Sequence, residues 1–312
     1  MAKRPTLSSV AAELNEQPSL LSSLRRSKTW ALLDGMEGRP IFVGAGDSYA
    51  ASLCASFLAG PDVLACDPYS LSEWVGWAKG RPVWIISISG QTKSNVDLAR
   101  RLRGVSKRTV AITSNPESRL AAEVDEVVEL PFKPVPRSPG IASFTLSLAA
   151  CLKACAIESD CDFGALLSSA RTTSRKVKVA GGRGVTYFAA NNERYAACVY
   201  GAAKLYELVG SRSQACLLEE FSHMPLFSLT ASDTVNVVGS EDRVGERLCD
   251  NLEEGGFDSS LVRLRGDRVE SLYHLVFALQ IAAIEAAKKR GLREPYFLGA
   301  RKKLKISDAM IY

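Results

Sequence analysis

The segment PVWIISISGQTKSNVDLARRL, residues 82–102, determines the fold prediction. It opens with five apolar residues, several of them β-branched or aromatic, and this composition predicts a strand buried on both faces. A turn of serine, glycine and threonine follows. Val96, Leu98 and Leu102 then have the spacing of the core-facing side of a helix. A buried strand, a tight turn and a helix in this order predict one repeat of a parallel α/β sheet.

The same order recurs on both sides of this segment. PIFVGAGDSYAASLCASFL, residues 40–58, precedes it, and TVAITSN and DEVVELPF, residues 109–115 and 125–132, supply further strands. After a polar stretch near 160–182 the pattern restarts with GVTYFAANNERYAACVYGAAKLYELV, residues 184–209. At the amino end, SSVAAELNEQ and SLLSSLRRSKTWALLDGM, residues 8–17 and 19–36, predict two helices separated at Pro18.

The restart indicates an internal duplication. Placing Tyr49 opposite Tyr195 aligns GDSYAASLCA with NERYAACVYG, and the following buried strands then align as well. We therefore predict two doubly wound, flavodoxin-like α/β three-layer sandwiches with parallel sheets. The predicted domains are residues 1–165 and 166–312, a length that two moderate cores fit.

Two turns carry small polar residues where buried strands end: Gly44–Ser48 and Ser87–Thr92. Open α/β sheets bind ligands at the carboxyl ends of neighbouring parallel strands. Glycines let the backbone approach an oxyanion, and hydroxyls and helix N-terminal amides donate to it. The turns therefore predict a phosphate site; ordinary turn chemistry is the alternative. The predicted binding residues are Gly46, Asp47, Ser48, Ser87, Ser89, Gln91 and Thr92.

The corresponding turn of the second half is Gly239-Ser240-Glu241-Asp242-Arg243. Its two carboxylates would repel a phosphate, so we assign the phosphate site to the first half. Neither half contains a complete GxGxxG or a GK[ST] sequence, and this disfavours nucleotide binding.

A second constellation consists of Lys204, Glu207 and His223. Lys204 and Glu207 are three residues apart and share one face of a predicted helix. A solvated ion pair is the simpler interpretation of the two. His223 lies in EEFSHMPLF, which we expect to be neither a clean helix nor a strand. A carboxylate that moves a proton between adjacent carbons and a histidine that opens a sugar ring form a suitable acid and base set.

Composition excludes several other classes of protein. Two histidines make a histidine-based metal site improbable, and no apolar run approaches the roughly 20 residues of a membrane span. The net charge of +5 is modest and no nucleic-acid motif accompanies it. We expect no cofactor, no metal, no nucleic-acid partner and no membrane partner. The start MAKRPTLSSV lacks an apolar core behind its basic residues, so we expect a cytoplasmic location.

These motifs resemble the sugar isomerase (SIS) domain family, in particular the isomerase portion of glutamine–fructose-6-phosphate amidotransferase. VGAGDSYAAS and ISISGQTKS resemble its two sugar-phosphate turns, and SPGIASFTLSL resembles the segment that closes over the sugar. GAAKLYEL followed by EEFSHMPL resembles its catalytic stretch, and LNEQP resembles its helical entry. The separation between Glu207 and His223 matches the family spacing.

The resemblance implies a role for each matching residue. Ser48, Ser87, Ser89 and Thr92 would hold the phosphate of a sugar-phosphate substrate, and Ile141 and Ser143 would contact the sugar. Glu207 would shuttle a proton between C1 and C2 through an enediol, with Lys204 lining the pocket. His223 would open the ring from the neighbouring subunit, which implies a homodimer with shared active sites. A tail lysine, Lys303 or Lys302, would complete the catalytic set.

Three positions depart from the family pattern. Tyr200 stands where the aminotransferring member has an acidic residue, Thr145 lies near the place of an expected lysine, and Asp47 replaces a hydroxyl. We therefore expect an aldose–ketose isomerase of a hexose or aminohexose 6-phosphate, or a related deaminase, without glutaminase activity. The alternative is a regulatory protein that binds a phosphosugar and catalyses nothing.

Overall fold

The protein is described by a computed structural model that covers residues 4–33, 39–239, 243–264 and 266–312. The described chain divides into two compact units. The first-sheet unit consists of Glu16–Val135, Gly140–Glu158 and Lys302–Tyr312. The second-sheet unit consists of the chain up to Asn15, Pro136–Pro139 and Ser159–Arg301.

The first-sheet unit is built on a parallel sheet, which has five strands within the described residues. Its strands are β1 (Ile41–Val43), β2 (Leu64–Cys66), β3 (Pro82–Ile86), β4 (Arg108–Thr113) and β5 (Glu126–Glu129). The order across the sheet is β2-β1-β3-β4-β5, and every neighbouring pair is parallel. Strand β3 therefore lies in the centre, where Val83 is in register with Ile41 on one side and Thr109 on the other.

Helices cover both faces of this sheet. On one face Ile41, Val83 and Ile85 pack with Val96 and Leu102 in a fully apolar core. The alternate residues point to the opposite face, as the period of two along a strand requires. The helices before residue 155 are α1 (Leu7–Arg25), α2 (Lys28–Leu32), α3 (Asp47–Ala59), α4 (Pro68–Glu73), α5 (Lys93–Leu102) and α6 (Ala142–Ala154). This part of the chain also has 3₁₀ turns at Val75–Ala78 and Ala121–Glu123.

The second-sheet unit repeats this arrangement, with four strands within the described residues. Its strands are β6 (Val185–Ala190), β7 (Arg212–Leu217), β8 (Thr234–Gly239) and β9 (Asp258–Arg263), in the order β7-β6-β8-β9. All neighbouring pairs are again parallel. Its helices are α7 (Phe163–Ser174), α8 (Asn192–Lys204), α9 (Leu218–His223), α10 (Arg243–Glu254), α11 (Arg268–Lys289) and α12 (Tyr296–Gly299), with a π-helical turn at Leu205–Val209 and a 3₁₀ turn at Pro225–Ser228. Helix α13 (Arg301–Ile311) ends the chain.

The two sheets confirm the predicted α/β fold and its duplication. The order β2-β1-β3-β4 of the first sheet corresponds strand for strand to β7-β6-β8-β9 of the second. The domain boundary between residues 165 and 166 stays a prediction, because the compact units follow packing and are discontinuous along the chain.

Two local predictions were wrong. The first helix continues through Pro18 to Arg25 and breaks at Ser27 instead. Tertiary packing overrides the helix-breaking tendency of proline here, since Gln17 beside it is fully buried. The segment around His223 is helical as α9, where we expected irregular backbone. Residues 34–36 of the predicted second helix and 240–242 of the second turn lie outside the described residues.

Helix α11 is long and apolar enough to cross a membrane by length and composition. Of its most apolar 18-residue window, 72% is buried inside the protein. Within the described residues it is the one helix of this kind. Its burial is that of a core helix.

A buried asparagine ties strand β8 to the chain that enters β6. Asn236 is fully buried, its Oδ1 accepts from the Lys178 backbone N–H at 2.8 Å, and its Nδ2 donates to the Lys178 carbonyl at 2.9 Å. The Asn236 side chain thus forms hydrogen bonds with both the N–H and the carbonyl of Lys178, as a neighbouring strand would. Such groups are costly to bury unpaired.

We predict that Asn236→Ala destabilises the protein by about 2–4 kcal/mol, because two buried backbone groups lose their partners. Thermal unfolding followed by circular dichroism should show a melting temperature lower by several degrees. Asn251→Ala, an exposed asparagine of α10, is the matched control and should leave the melting temperature nearly unchanged. Equal melting temperatures for the two variants would contradict the argument.

Candidate functional site

The turn after β3 is held by backbone contacts to the end of β4. The Ser87 N–H donates to the Ile112 carbonyl at 3.0 Å, and the Ile88 carbonyl accepts from Thr113 Oγ1 and from both the N–H and Oγ of Ser114. Gly90 has φ +61°, and a Cβ there would lie 2.0 Å from Ser118 Oγ. Only glycine fits this position. The turn therefore has a defined shape before any ligand is considered.

The hydroxyl groups at this edge of the first sheet are not used by the protein itself. Among the described residues, the side chains of Ser48, Ser87, Thr92 and Ser143 make no hydrogen bond, although Ser87 is 4% and Ser143 is 9% exposed. None of these hydroxyls is among the fully buried side-chain atoms without a partner, so they remain accessible. Four unused hydroxyls on three segments indicate donors available to a ligand.

Ser89 and Gln91 have protein partners instead. Ser89 Oγ accepts from the Gln91 N–H at 3.2 Å, which closes the turn. Arg119 donates from Nε to Gln91 Oε1 at 2.8 Å and from its terminal nitrogen to the Gln91 carbonyl. The guanidinium thus orients Gln91 and places a positive charge at the rim of the turn, which favours an anionic ligand.

Asp47 lies against the segment that starts helix α6. A Cβ at Gly140 would be 2.1 Å from Asp47 Oδ2 and 3.3 Å from Ser143 Oγ. The carboxylate is thus near the N-terminus of α6 as well as in the first turn of its own helix, α3. Helix N-termini stabilise negative charge. This placement explains how a carboxylate is accommodated beside a predicted phosphate turn, and it brings Gly46, Ile141 and Ser143 to the same edge.

Thr145 has a structural partner. It is fully buried, and its Oγ1 donates to Gln17 Oε1 at 2.7 Å and to the Ala142 carbonyl at 3.0 Å. Gln17 belongs to the LNEQP segment and is also fully buried. The departure from the family pattern at Thr145 therefore coincides with a hydrogen bond that fixes α1 to α6 within the first-sheet unit.

In the second-sheet unit, Lys204 and Glu207 form a close ion pair. Lys204 is fully buried, and its Nζ lies 2.5 Å from Glu207 Oε2, while 35% of the Glu207 side chain is exposed. Glu207 is on the π-helical turn that ends at Gly210, where φ is +70°. Such turns occur frequently at functional sites. The Glu207 carboxylate is therefore paired with a buried cation and remains partly exposed.

Tyr200 lies on the other side of the buried ammonium. Its ring centroid is 5.1 Å from Lys204 Nζ, and its hydroxyl accepts from Gln280 Nε2 at 2.9 Å. An aromatic face stabilises a cation without carrying a charge of its own. Because residue 200 is tyrosine and not an acidic residue, it does not add a second carboxylate beside Glu207.

His223 and the tail lysines lie on the surface. His223 Nε2 is 3.0 Å from Glu219 Oε1 of the same helix, and 67% of its side chain is exposed. Lys302 and Lys303 are exposed on α13. The predicted roles of His223 and Lys303 therefore rest on the sequence resemblance.

Sequence reasoning missed Gly140, Arg119 and the supports of the turn at Thr113 and Ser114. The serine and threonine after β4 had a usable signal, since they follow a neighbouring parallel strand at the same edge. Gly140 and Arg119 had none, because their roles depend on tertiary contacts with Asp47 and Gln91.

The chain thus has two parallel α/β sheets, with a hydroxyl-rich turn at the end of the central strand of the first. Residues 75–156, from the 3₁₀ turn before β3 through α6, match the SIS domain family. This match confirms the resemblance that the sequence predicts. No match to a curated protein sequence was found.

Solved structures support the fold over most of the chain. Glucosamine-6-phosphate deaminase from Thermotoga maritima has a TM-score of 0.74 at 20% identity, covering 91% of this chain and 95% of that chain. Tagatose-6-phosphate ketose/aldose isomerase from Escherichia coli has 0.74 at 17%, covering 93% and 96%. The C-terminal domain of glucosamine-fructose-6-phosphate aminotransferase from Francisella tularensis has 0.70 at 17%, covering 91% and 97%. At these identities the similarity establishes the fold.

We predict that Gly140→Ala lowers the melting temperature because the new Cβ collides with the Asp47 carboxylate, at a cost of about 1–3 kcal/mol. In an Asp47→Ala background the same change should cost much less. A double-mutant cycle of melting temperatures isolates this contact. Additive effects of the two substitutions would show that the carboxylate does not lie against Gly140.

Proposed function

We propose that this protein is a phosphosugar isomerase acting on a hexose or aminohexose 6-phosphate, by aldose–ketose isomerisation or the related deamination. The observation that carries the proposal is the set of unused hydroxyls of Ser48, Ser87, Thr92 and Ser143 at the edge of the first sheet. Donors with no protein partner, beside the N-terminus of α5, suit a phosphate dianion. The names of the structural relatives, which include isomerases and a deaminase of sugar phosphates, agree with this class of substrate.

The proposed chemistry is proton transfer between C1 and C2 through an enediol. Glu207 takes the proton from one carbon and returns it to the other, because its carboxylate is accessible while Lys204 holds it from behind. Lys204 is a positioning residue in this scheme.

His223 is the proposed ring-opening group. In its own chain it contacts Glu219 and is largely exposed, so it is free to meet a sugar held by a second copy. We therefore propose a homodimer with shared active sites, with Lys303 or Lys302 of the tail as a further catalytic group. A cytoplasmic location and independence from metals and organic cofactors are part of the same proposal.

The alternative is a regulatory protein that binds a phosphosugar and catalyses nothing. Tyr200 favours it, since an acidic residue of the aminotransferring family member is replaced by a neutral one. Retention of Glu207 against a buried lysine favours the enzyme, because a binding protein has no need of an accessible carboxylate backed by a desolvated cation.

We predict that combined replacement of Ser87 and Ser89 by alanine weakens fructose 6-phosphate binding by about 10-fold or more, since each lost bond to a charged phosphate costs about 1–3 kcal/mol. Isothermal titration calorimetry measures the affinity. Ser106→Ala, at the other end of α5, is the matched control and should bind as the wild type does. Unchanged affinity in the double variant would place the phosphate elsewhere.

We predict that Glu207→Gln lowers turnover by about 10²–10⁴-fold while leaving the affinity for fructose 6-phosphate nearly unchanged. In D₂O, proton NMR of fructose 6-phosphate and glucosamine 6-phosphate follows deuterium incorporation at C1 or C2, which an enediol requires. Glu254→Gln, an exposed glutamate of α10, is the control. Incorporation at the wild-type rate in Glu207→Gln would remove Glu207 from the mechanism, and binding without incorporation by the wild type would establish the regulatory alternative.

A further inference from the structure

Asn95 is a buried side chain whose hydrogen-bonding capacity the protein leaves unused. It is fully buried, and neither Nδ2 nor Oδ1 has a hydrogen-bond partner among the described residues. An unpaired carboxamide in a protein interior is destabilising, and such groups are rare enough to need an explanation.

Its place in the helix directs this side chain toward the phosphate turn. Thr92 is the N-cap of α5 and Asn95 is the third residue of that helix. Side chains of an α-helix tilt toward its N-terminus, so a residue at this position covers the first turn. Threonine at the N-cap and a polar residue three positions later are the types that bond each other's backbone amides in a capping box. Here the Thr92 side chain makes no capping bond, and the Asn95 carboxamide makes no bond either.

Packing alone favours an apolar residue at this position. Asn95 is followed at helical spacing by Leu98, Ala99 and Leu102, which are all fully buried in the core against the first sheet. The stripe that these residues form ends at the turn with a polar residue. Replacing Asn95 by an apolar residue would remove the cost of burying an unpaired amide. We therefore expect the Asn95 carboxamide to have a function that offsets this cost.

We propose that Asn95 is an additional ligand-binding residue of the phosphate turn, and that its Nδ2 donates to an oxygen of the bound oxyanion. This inference rests on the proposed function for the identity of the ligand. Nδ2 adds a neutral donor to the hydroxyls of Ser87 and Thr92. The bond gives the buried amide a partner only when a phosphate is present, so stability is lower and ligand affinity higher than with an apolar residue.

Asn95→Leu separates this role from a structural one. We expect its melting temperature to rise by roughly 2–4 °C, since the unpaired amide is removed. We expect affinities for inorganic phosphate and for fructose 6-phosphate to fall by about 10-fold, measured by calorimetry. Ser147→Ala is the control: it removes another buried hydroxyl without a partner, in α6, and should leave both affinities unchanged.

Asn95→Asp keeps the shape of the side chain and replaces the donor by a carboxylate. If Nδ2 faces the oxyanion, this variant should bind inorganic phosphate more weakly at pH 7 than Asn95→Leu does, because two negative charges then meet in a poorly solvated place. Stability of both variants is read from their melting temperatures. A folded Asn95→Asp protein that binds phosphate as the wild type does would overturn the proposal.

The outcomes distinguish this inference from the proposed function. Wild-type binding of inorganic phosphate but not of sugar phosphates, with weaker binding by Asn95→Leu, would support the inference and remove the proposed substrate. Equal sugar-phosphate affinity of the wild type and Asn95→Leu would overturn the inference alone. Binding of neither probe by the wild type would overturn both.

Discussion

Strand β3 is buried along all five of its residues, Pro82–Ile86, and this burial determines that the first polar side chains of the segment follow the end of the strand. Helices cover both faces of the sheet, so the side chains of a central strand are apolar until the strand ends. The first residue beyond the strand, Ser87, still donates its N–H to the Ile112 carbonyl of β4. The hydroxyl-rich turn is therefore attached directly to the central strand of the first sheet.

This constraint also explains how much the sequence alone could predict. Buried strands leave a clear composition signal, so the parallel sheets and the turns at their ends were predictable from segments such as PVWIISISG. The duplication was visible because placing Tyr49 opposite Tyr195 aligns GDSYAASLCA with NERYAACVYG. Contacts between distant segments left no such signal. Nothing near Gly140 in the sequence indicates that Asp47 lies against it. Nothing near Pro18 indicates that Gln17 is buried and that the helix continues past the proline.

The ion pair of the second-sheet unit holds a partly exposed carboxylate against a fully buried ammonium. Lys204 has lost its hydration completely, and an isolated buried ammonium is very costly. Glu207 offsets that cost with its charge, and Tyr200 contributes its ring. The sequence suggested a solvated surface pair as the simpler reading, and burial of Lys204 excludes it. A carboxylate that is paired with a buried ammonium in this way is held in one orientation.

The first turns of helix α1 pack in the second-sheet unit, with residues that come much later in the chain. Residues up to Asn15 pack in the same compact unit as Ser159–Arg301, and the Leu7 N–H donates to the Arg293 carbonyl at 3.0 Å. On a ribosome Leu7 emerges before Arg293, which lies almost 290 residues further along the chain. The second-sheet unit consequently completes its packing only after Arg293 has been made. Until then the apolar side of the first turns of α1, with Leu7, Val10 and Leu14, is without the neighbours that bury it in the folded protein.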